Sequence, residues 1–202
     1  MKRTLKPRGF SLIEMMVAVA VFAVVMTVAL GALLSMSESD RKAQTLKSVI
    51  NNLNFALDSM SRSIRTGTTY HCGLVSSENM AIAQDCDTPS PISLLAFLPA
   101  GALSNTTVYK LETADASLCG QPAGKVSCIV RSTAGGASGT FAAITAPEVY
   151  IDTLNFFVKG SSPTDALQPK VTILMSGTVS VSGTQTSAFN LQTSVTQRLY
   201  DR

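Results

Sequence analysis

The hydrophobic pattern divides the chain near residue 35. Met15 to Leu34 reads MMVAVAVFAVVMTVALGALL, without a charge and with Thr27 as its one strongly polar residue. At ~1.5 Å per residue in a helix, such a run matches the ~30 Å hydrocarbon core of a bilayer. Beyond it the apolar residues become periodic. Leu46, Val49, Ile50, Leu53, Leu57, Met60 and Ile64 recur at helical spacing, and Ser48, Asn52, Ser59, Ser61 and Arg62 fill the other faces. No proline lies between Pro7 and Pro89, so the pattern predicts one helix from Phe10 to Thr66, stopped at Gly67. Its first half belongs in apolar surroundings, and its second half needs a partner over one stripe.

Past the helix the period changes. Thr66 to Pro147 reads as an irregular stretch punctuated by Gly and Pro, with short strands at Ile92–Leu98, Thr107–Glu112 and Lys125–Arg131. In Val171–Val181 the residues Val171, Ile173, Met175, Val179 and Val181 alternate with Thr172, Ser176, Thr178 and Ser180. Phe189, Leu191, Val195 and Leu199 alternate likewise with Asn190, Gln192, Ser194, Thr196 and Arg198. Ser182-Gly183-Thr184-Gln185 reads as a turn between them. With a strand around Tyr150–Val158 they form a three-stranded antiparallel meander at about 149–200, its apolar face available to the helix. The expectation is an α+β roll of helix, variable connection and sheet.

Composition narrows the function. Formal charge is +3, but Lys2, Arg3, Lys6 and Arg8 supply four of the 16 basic residues, and from Gly67 onward seven basic residues face nine acidic ones. Backbone binding to nucleic acid rests on clustered Lys and Arg, which the bulk of the chain lacks. The early basic cluster, with Glu38 and Asp40 after the apolar run, places residues 1–9 in the cytoplasm and the rest beyond Leu34 outside. A cleaved secretory signal fits less well, because its apolar region spans only about 7–15 residues. Cys72, Cys86, Cys119 and Cys128 are even in number, form no C-x-x-C pair and have His71 as the one histidine. That pattern suits disulfides in an oxidising compartment rather than tetrahedral zinc, and four cysteines leave three pairings open. The turn containing Gly120, Pro122 and Gly124 makes a local Cys119–Cys128 bridge across a hairpin the first choice, with Cys72–Cys86 following.

One residue interrupts the apolar pattern. Glu14 lies just inside the run, where an ionised carboxylate costs about 2.5–3.5 kcal/mol at mid-bilayer and less near the interface. Its setting is Lys6-Pro7-Arg8-Gly9-Phe10-Ser11-Leu12-Ile13-Glu14-Met15, a basic stretch ending in glycine, then Phe, then apolar residues with one acid. Here the sequence resembles the type IV pilin-like family of pilins and type II secretion pseudopilins, closely over residues 7–34 and in layout afterwards. The resemblance implies a leader of residues 1–9, cleavage between Gly9 and Phe10 by a prepilin peptidase, and methylation of the new Phe10 amine. It also implies that Glu14 pairs with the Phe10 amine of a neighbouring subunit during assembly. The partners implied are other pilin or pseudopilin subunits, the peptidase, an inner-membrane assembly platform and, before assembly, the membrane itself. The domains expected are 1–9 leader, 10–66 helix (about 15–34 transmembrane) and 67–202 head. Localisation is expected at the inner membrane with a cytoplasmic N-terminus, then in an extracellular or periplasmic filament. Major subunits of the family usually carry a helix-breaking proline where this chain has Gly31, which leaves the hydrogen-bond ladder possible. That departure and the large head look most like W-type minor pilins or J-type pseudopilins.

No catalytic, cofactor or metal constellation emerges. Gly120-Gln121-Pro122-Ala123-Gly124-Lys125-Val126 departs from a P-loop in its first glycine and in Val126, and reads as a hairpin turn. Gly136-Ala137-Ser138-Gly139-Thr140 lacks the G-x-S-x-G spacing. His71 beside Cys72 leaves a metal half-coordinated and reads as a surface histidine. The function expected is a minor filament subunit, not an enzyme. The alternative is a single-pass anchored binding or adhesion protein that does not polymerise.

Overall fold

The computed structural model describes residues 9–73, 82–86, 92–102, 105–162, 164–182 and 185–198. Residues 1–8 of the expected leader, Gly183 and Thr184 of the expected turn, and Leu199 lie outside the described residues. Helix α1 runs Leu12–Arg65 without a break at Gly31. Two compact units divide at its middle, Met1–Gln44 and Thr45–Arg202.

In the first unit α1 is solvent-exposed from Leu12 to Arg41. Its polar interruption is satisfied locally, since the Thr27 hydroxyl donates to the Ala23 carbonyl at 2.7 Å.

In the second unit the buried stripe of α1 is Val49, Leu53, Ala56, Met60 and Ile64. Leu46 and Leu57 are half-buried, but Ile50 is 47% exposed, against expectation, and Ala56 takes the buried position instead. Ile50 follows Val49 by one residue, ~100° around the helix, and the covering sheets reach only the narrower stripe. At the C-terminal end the last carbonyls find donors. The Gly67 N–H reaches Ile64 O at 3.0 Å, and the Tyr70 hydroxyl donates to Ile64 O (2.6 Å) and Gly67 O (2.8 Å). A Cβ on residue 67 would run into the Phe97 ring, which explains the glycine by close approach.

The first sheet contains β1 (Thr68–Cys72), β2 (Leu94–Leu98), β3 (Thr107–Glu112), β4 (Cys128–Ser132) and β5 (Ala142–Ala143), antiparallel in that order. Within the stretch expected to be irregular, the strands expected at Ile92–Leu98 and Thr107–Glu112 stand as β2 and β3, and one sheet joins them to β1, β4 and β5. Strand β1 was not anticipated, since Thr-Thr-Tyr-His-Cys is too short to show a period. The strand expected from Lys125 begins only at Cys128. The second sheet is the expected meander, β6 (Val149–Lys159), β7 (Lys170–Ser182) and β8 (Gln185–Thr196), with Ser182 paired to Gln185 across the turn.

The two sheets meet along one seam. Strand β6 pairs with β7 on one edge, and its other edge receives the ends of the first sheet. Ile151 N–H donates to Ser127 O at 3.3 Å, Phe156 N–H to Ile92 O at 3.0 Å, and Cys86 and Val158 exchange bonds of 2.8 and 3.1 Å. Over this junction lies one apolar core in which Met60 and Ile64 of α1 meet Phe97, Tyr109, Phe156 and Ile173. The architecture is a pilin-like α+β arrangement, a long N-terminal helix whose later turns pack on antiparallel sheets.

Candidate functional site

The N-terminal segment is built by helix-start chemistry. Gly9, Phe10 and Ser11 precede α1 in non-helical conformation, and Phe10 is 77% exposed. Ser11 caps the helix. Its hydroxyl accepts from the Glu14 N–H at 3.3 Å, while its carbonyl accepts from Glu14 N–H (3.1 Å) and Met15 N–H (3.3 Å). Ser11-Leu12-Ile13-Glu14 has the spacing of a capping box, so the start of the helix is encoded in the sequence itself. Glu14 thus stands in the first turn, exposed, where the positive end of the helix dipole favours a carboxylate. No hydrogen bond or ion pair engages that carboxylate among the described residues. A continuous apolar surface follows it, and α1 is long and apolar enough to cross a membrane.

In the second unit the sequence-selected residues fall on both ends of the β6 seam. The cysteines pair as Cys72–Cys86, with Cα atoms 6.2 Å apart, and Cys119–Cys128, at 5.7 Å. Cys86 is the residue bridged to Val158, and Cys128 follows Ser127, which meets Ile151. The Cys119–Cys128 link does not span the simple hairpin expected from the turn residues, because Cys119 closes a short helix, α2 (Ala116–Cys119), too short to show a helical period in the sequence. Asp115 caps α2 by accepting from Leu118 N–H at 2.9 Å, and Gly120 ends it in the left-handed region at φ 63°. Gln121, within the near-P-loop segment, is buried and fully engaged. Its amide donates to Val149 O (2.7 Å) and Ser127 O (3.2 Å), and its oxygen accepts from Ser127 N–H (2.7 Å). That segment is a structural brace.

His71 is a second correction. It is 3% exposed, not a surface residue, and lies within β1. Its Nδ1 approaches the Ile82 carbonyl at 2.9 Å, and a carbonyl only accepts, so Nδ1 carries the proton. Among the described residues no group of three or more His, Cys, Asp or Glu converges as a metal cage.

Asp85 was not selected from sequence, yet it ties the segment before Cys86 to the end of β6. Its carboxylate accepts from Gly160 N–H (3.0 Å), Ser161 N–H (2.7 Å) and the Ser161 hydroxyl (2.6 Å). Partial burial pushes its pKa up, but the Ser161 and Gly160 hydrogen bonds, helped by Lys159, outweigh it and hold Asp85 below the ordinary 3.8. A depressed folded-state pKa stabilises above the unfolded value and loses that contribution as pH falls through the folded one. Asp85→Asn is therefore expected to lower the melting temperature by a few degrees at pH 7, with the difference from wild type closing toward pH 3. The effect is modest because the residue is exposed and solvent screens it. Equal differences at both pH values would rule out the carboxylate's role.

Residues 5–30 match the prokaryotic N-terminal methylation motif. The match covers Gly9, Phe10, Ser11 and Glu14 together with most of the apolar run. No curated protein and no solved structure matches the chain. The chain carries a prepilin-type methylation motif on a pilin-like α+β architecture.

Proposed function

We propose that the chain is a minor subunit of a type IV pilus or a type II secretion pseudopilus, of the W type or the J type respectively. In this reading residues 1–9 are a leader removed between Gly9 and Phe10 by a prepilin peptidase, and the Phe10 amine is then methylated. The helix from 10 to 66 first holds the chain in the inner membrane through about residues 15–34, with the N-terminus cytoplasmic and the head, 67–202, outside. Assembly moves the same apolar surface from lipid into a bundle of neighbouring helices on a membrane platform. The carrying observation is the methylation motif at 5–30 running without a break into a 54-residue helix.

The chemistry supports this order of events. Gly9 has no side chain and nothing within 4 Å of where a Cβ would stand, so a protease can approach its carbonyl. The capped helix begins at Leu12, which leaves Gly9-Phe10 outside the helical hydrogen bonds. A plain anchor needs neither the Gly9-Phe10 pair nor Glu14. Unbroken helix through Gly31 supports a subunit that lacks the melting point of a major pilin.

Mass spectrometry of membrane-extracted protein tests the reading. A chain beginning at Phe10 and heavier by one methyl substituent is expected, and Gly9→Val should retain the leader while still inserting. A mature chain beginning at Met1, or near Ala32 or Ser37, would refute it and favour the anchored binding protein.

A further inference from the structure

We propose that strand β8 is a docking edge for a second copy of this chain, through antiparallel β8–β8 pairing. Three of the four terminal edges of the two sheets are closed or short among the described residues. Strand β6 is occupied along its outer edge by Ser127, Ile92 and Cys86, Gln84 N–H donates to Tyr70 O beside β1, and β5 has two residues. Strand β8 runs for 12 residues and, among the described residues, pairs with β7 alone. No strand pairs with its outer edge among the described residues, and the charges and prolines that commonly protect an edge are missing from it. From Gln185 to Gln197 there is no charge, proline or glycine.

The occupant follows from the pattern on the strand. Its inward residues Phe189 and Leu191 touch the core but remain half-buried, whereas Val195 is fully buried. An antiparallel pair centred on Asn190 places Phe189 of each copy opposite Leu191 of the other, so each half-buried side chain covers its counterpart. The same register sets Ser187 opposite Thr193 and Ala188 opposite Gln192, pairing polar or small residues on matching faces. Charge selects the orientation. Arg198 lies two residues past the end of the strand and is exposed. Parallel pairing would bring two Arg198 side chains together, while antiparallel pairing sets them at opposite ends, tens of ångströms apart. Anchoring in a membrane would raise the effective concentration of copies. The inference goes beyond the filament reading and does not depend on leader cleavage.

The test uses the full chain in membranes with Asn190→Cys, mild copper–phenanthroline oxidation and non-reducing gels. At the two-fold centre the paired positions stand about 4.5–5.5 Å apart, within disulfide reach. Ser176→Cys is the control, since Ser176 pairs with Asn190 one strand inward and is about three strand spacings, ~14 Å, from its counterpart. At least ~10-fold more linked dimer is expected at 190 than at 176, because disulfides do not span such a gap. Peptide mapping should show both native bridges intact. Equal linking at both positions, no dimer at 190 with the native bridges in place, or a product joined to a protein of different mass would each overturn the proposal. Native mass spectrometry adds a thiol-free arm, in which wild type should be dimeric and Asn190→Lys monomeric, the two lysines facing each other across the axis. A monomeric wild type would equally overturn it.

Discussion

Replacing Glu14 by Leu is expected to leave the protein in the membrane and cut at Gly9, yet nearly absent from sheared filaments. The substitution removes a charge from an apolar run, so insertion on its own should improve. Its peptide group is untouched, and the Ser11 carbonyl still receives the Glu14 and Met15 N–H groups whatever the side chain. What disappears is the carboxylate, which makes no hydrogen bond or ion pair among the described residues and is free to meet a neighbour's Phe10 amine. Stripping one member from a buried pair strands the other at a cost of about 3–5 kcal/mol, or a factor of roughly 150 to 5,000 in subunit incorporation. Glu14→Asp keeps the charge on a shorter arm and should assemble in part. Fractionation of wild type and both variants, scored for membrane and filament content, decides the matter. Equal filament content for Glu14→Leu would remove this carboxylate from the assembly mechanism.

Reduction of the two disulfides is expected to lower the melting temperature of the detergent-solubilised chain by roughly 10–20 °C. Chain-entropy reasoning assigns about 3 kcal/mol to each loop, whose cysteines stand 14 and 9 residues apart. Together that is comparable with the total stability of many domains, and each kcal/mol shifts the midpoint of a chain this size by about 2–4 °C. Position adds to length, since the two bridges hold the two ends of the β6 seam. Hydrogen exchange in reductant should accelerate first at the Cys86–Val158 and Ser127–Ile151 contacts. A fall of less than about 3 °C would mean that non-covalent contacts alone hold the seam.

The sequence made some elements plain and hid others for physical reasons. A 54-residue helix announces itself because its apolar run and its helical period both exceed any turn signal. The meander was legible because β6, β7 and β8 alternate over 11 to 13 residues each. Of the first sheet, β2 and β3 were legible and β4 nearly so, but β1 and β5 and the pairing of all five into one sheet were not, since these strands have two to six residues and are joined by long connections. His71 looked solvated because the strand that buries it was too short to see. Asp85 gave no signal at all, for its partners Gly160 and Ser161 lie 75 residues and more away. At the N-terminus the signals are local, since Ser11 caps the helix through Glu14 and Met15 only three and four residues on.

The β6 seam also orders events in time. The helix that carries Val49 to Ile64 is synthesised early, but the strands that cover it arrive last, and the Arg198 N–H closes onto Arg65 O across the whole head. Contacts of such long sequence separation form slowly and only after the intervening chain has emerged. Until β7 emerges, one edge of β6 stays open to wrong partners, so the nascent head is more aggregation-prone before β7 and β8 appear. Truncation by even a few residues of β8 removes the buried Val195 and should therefore lower both the melting temperature and the soluble yield.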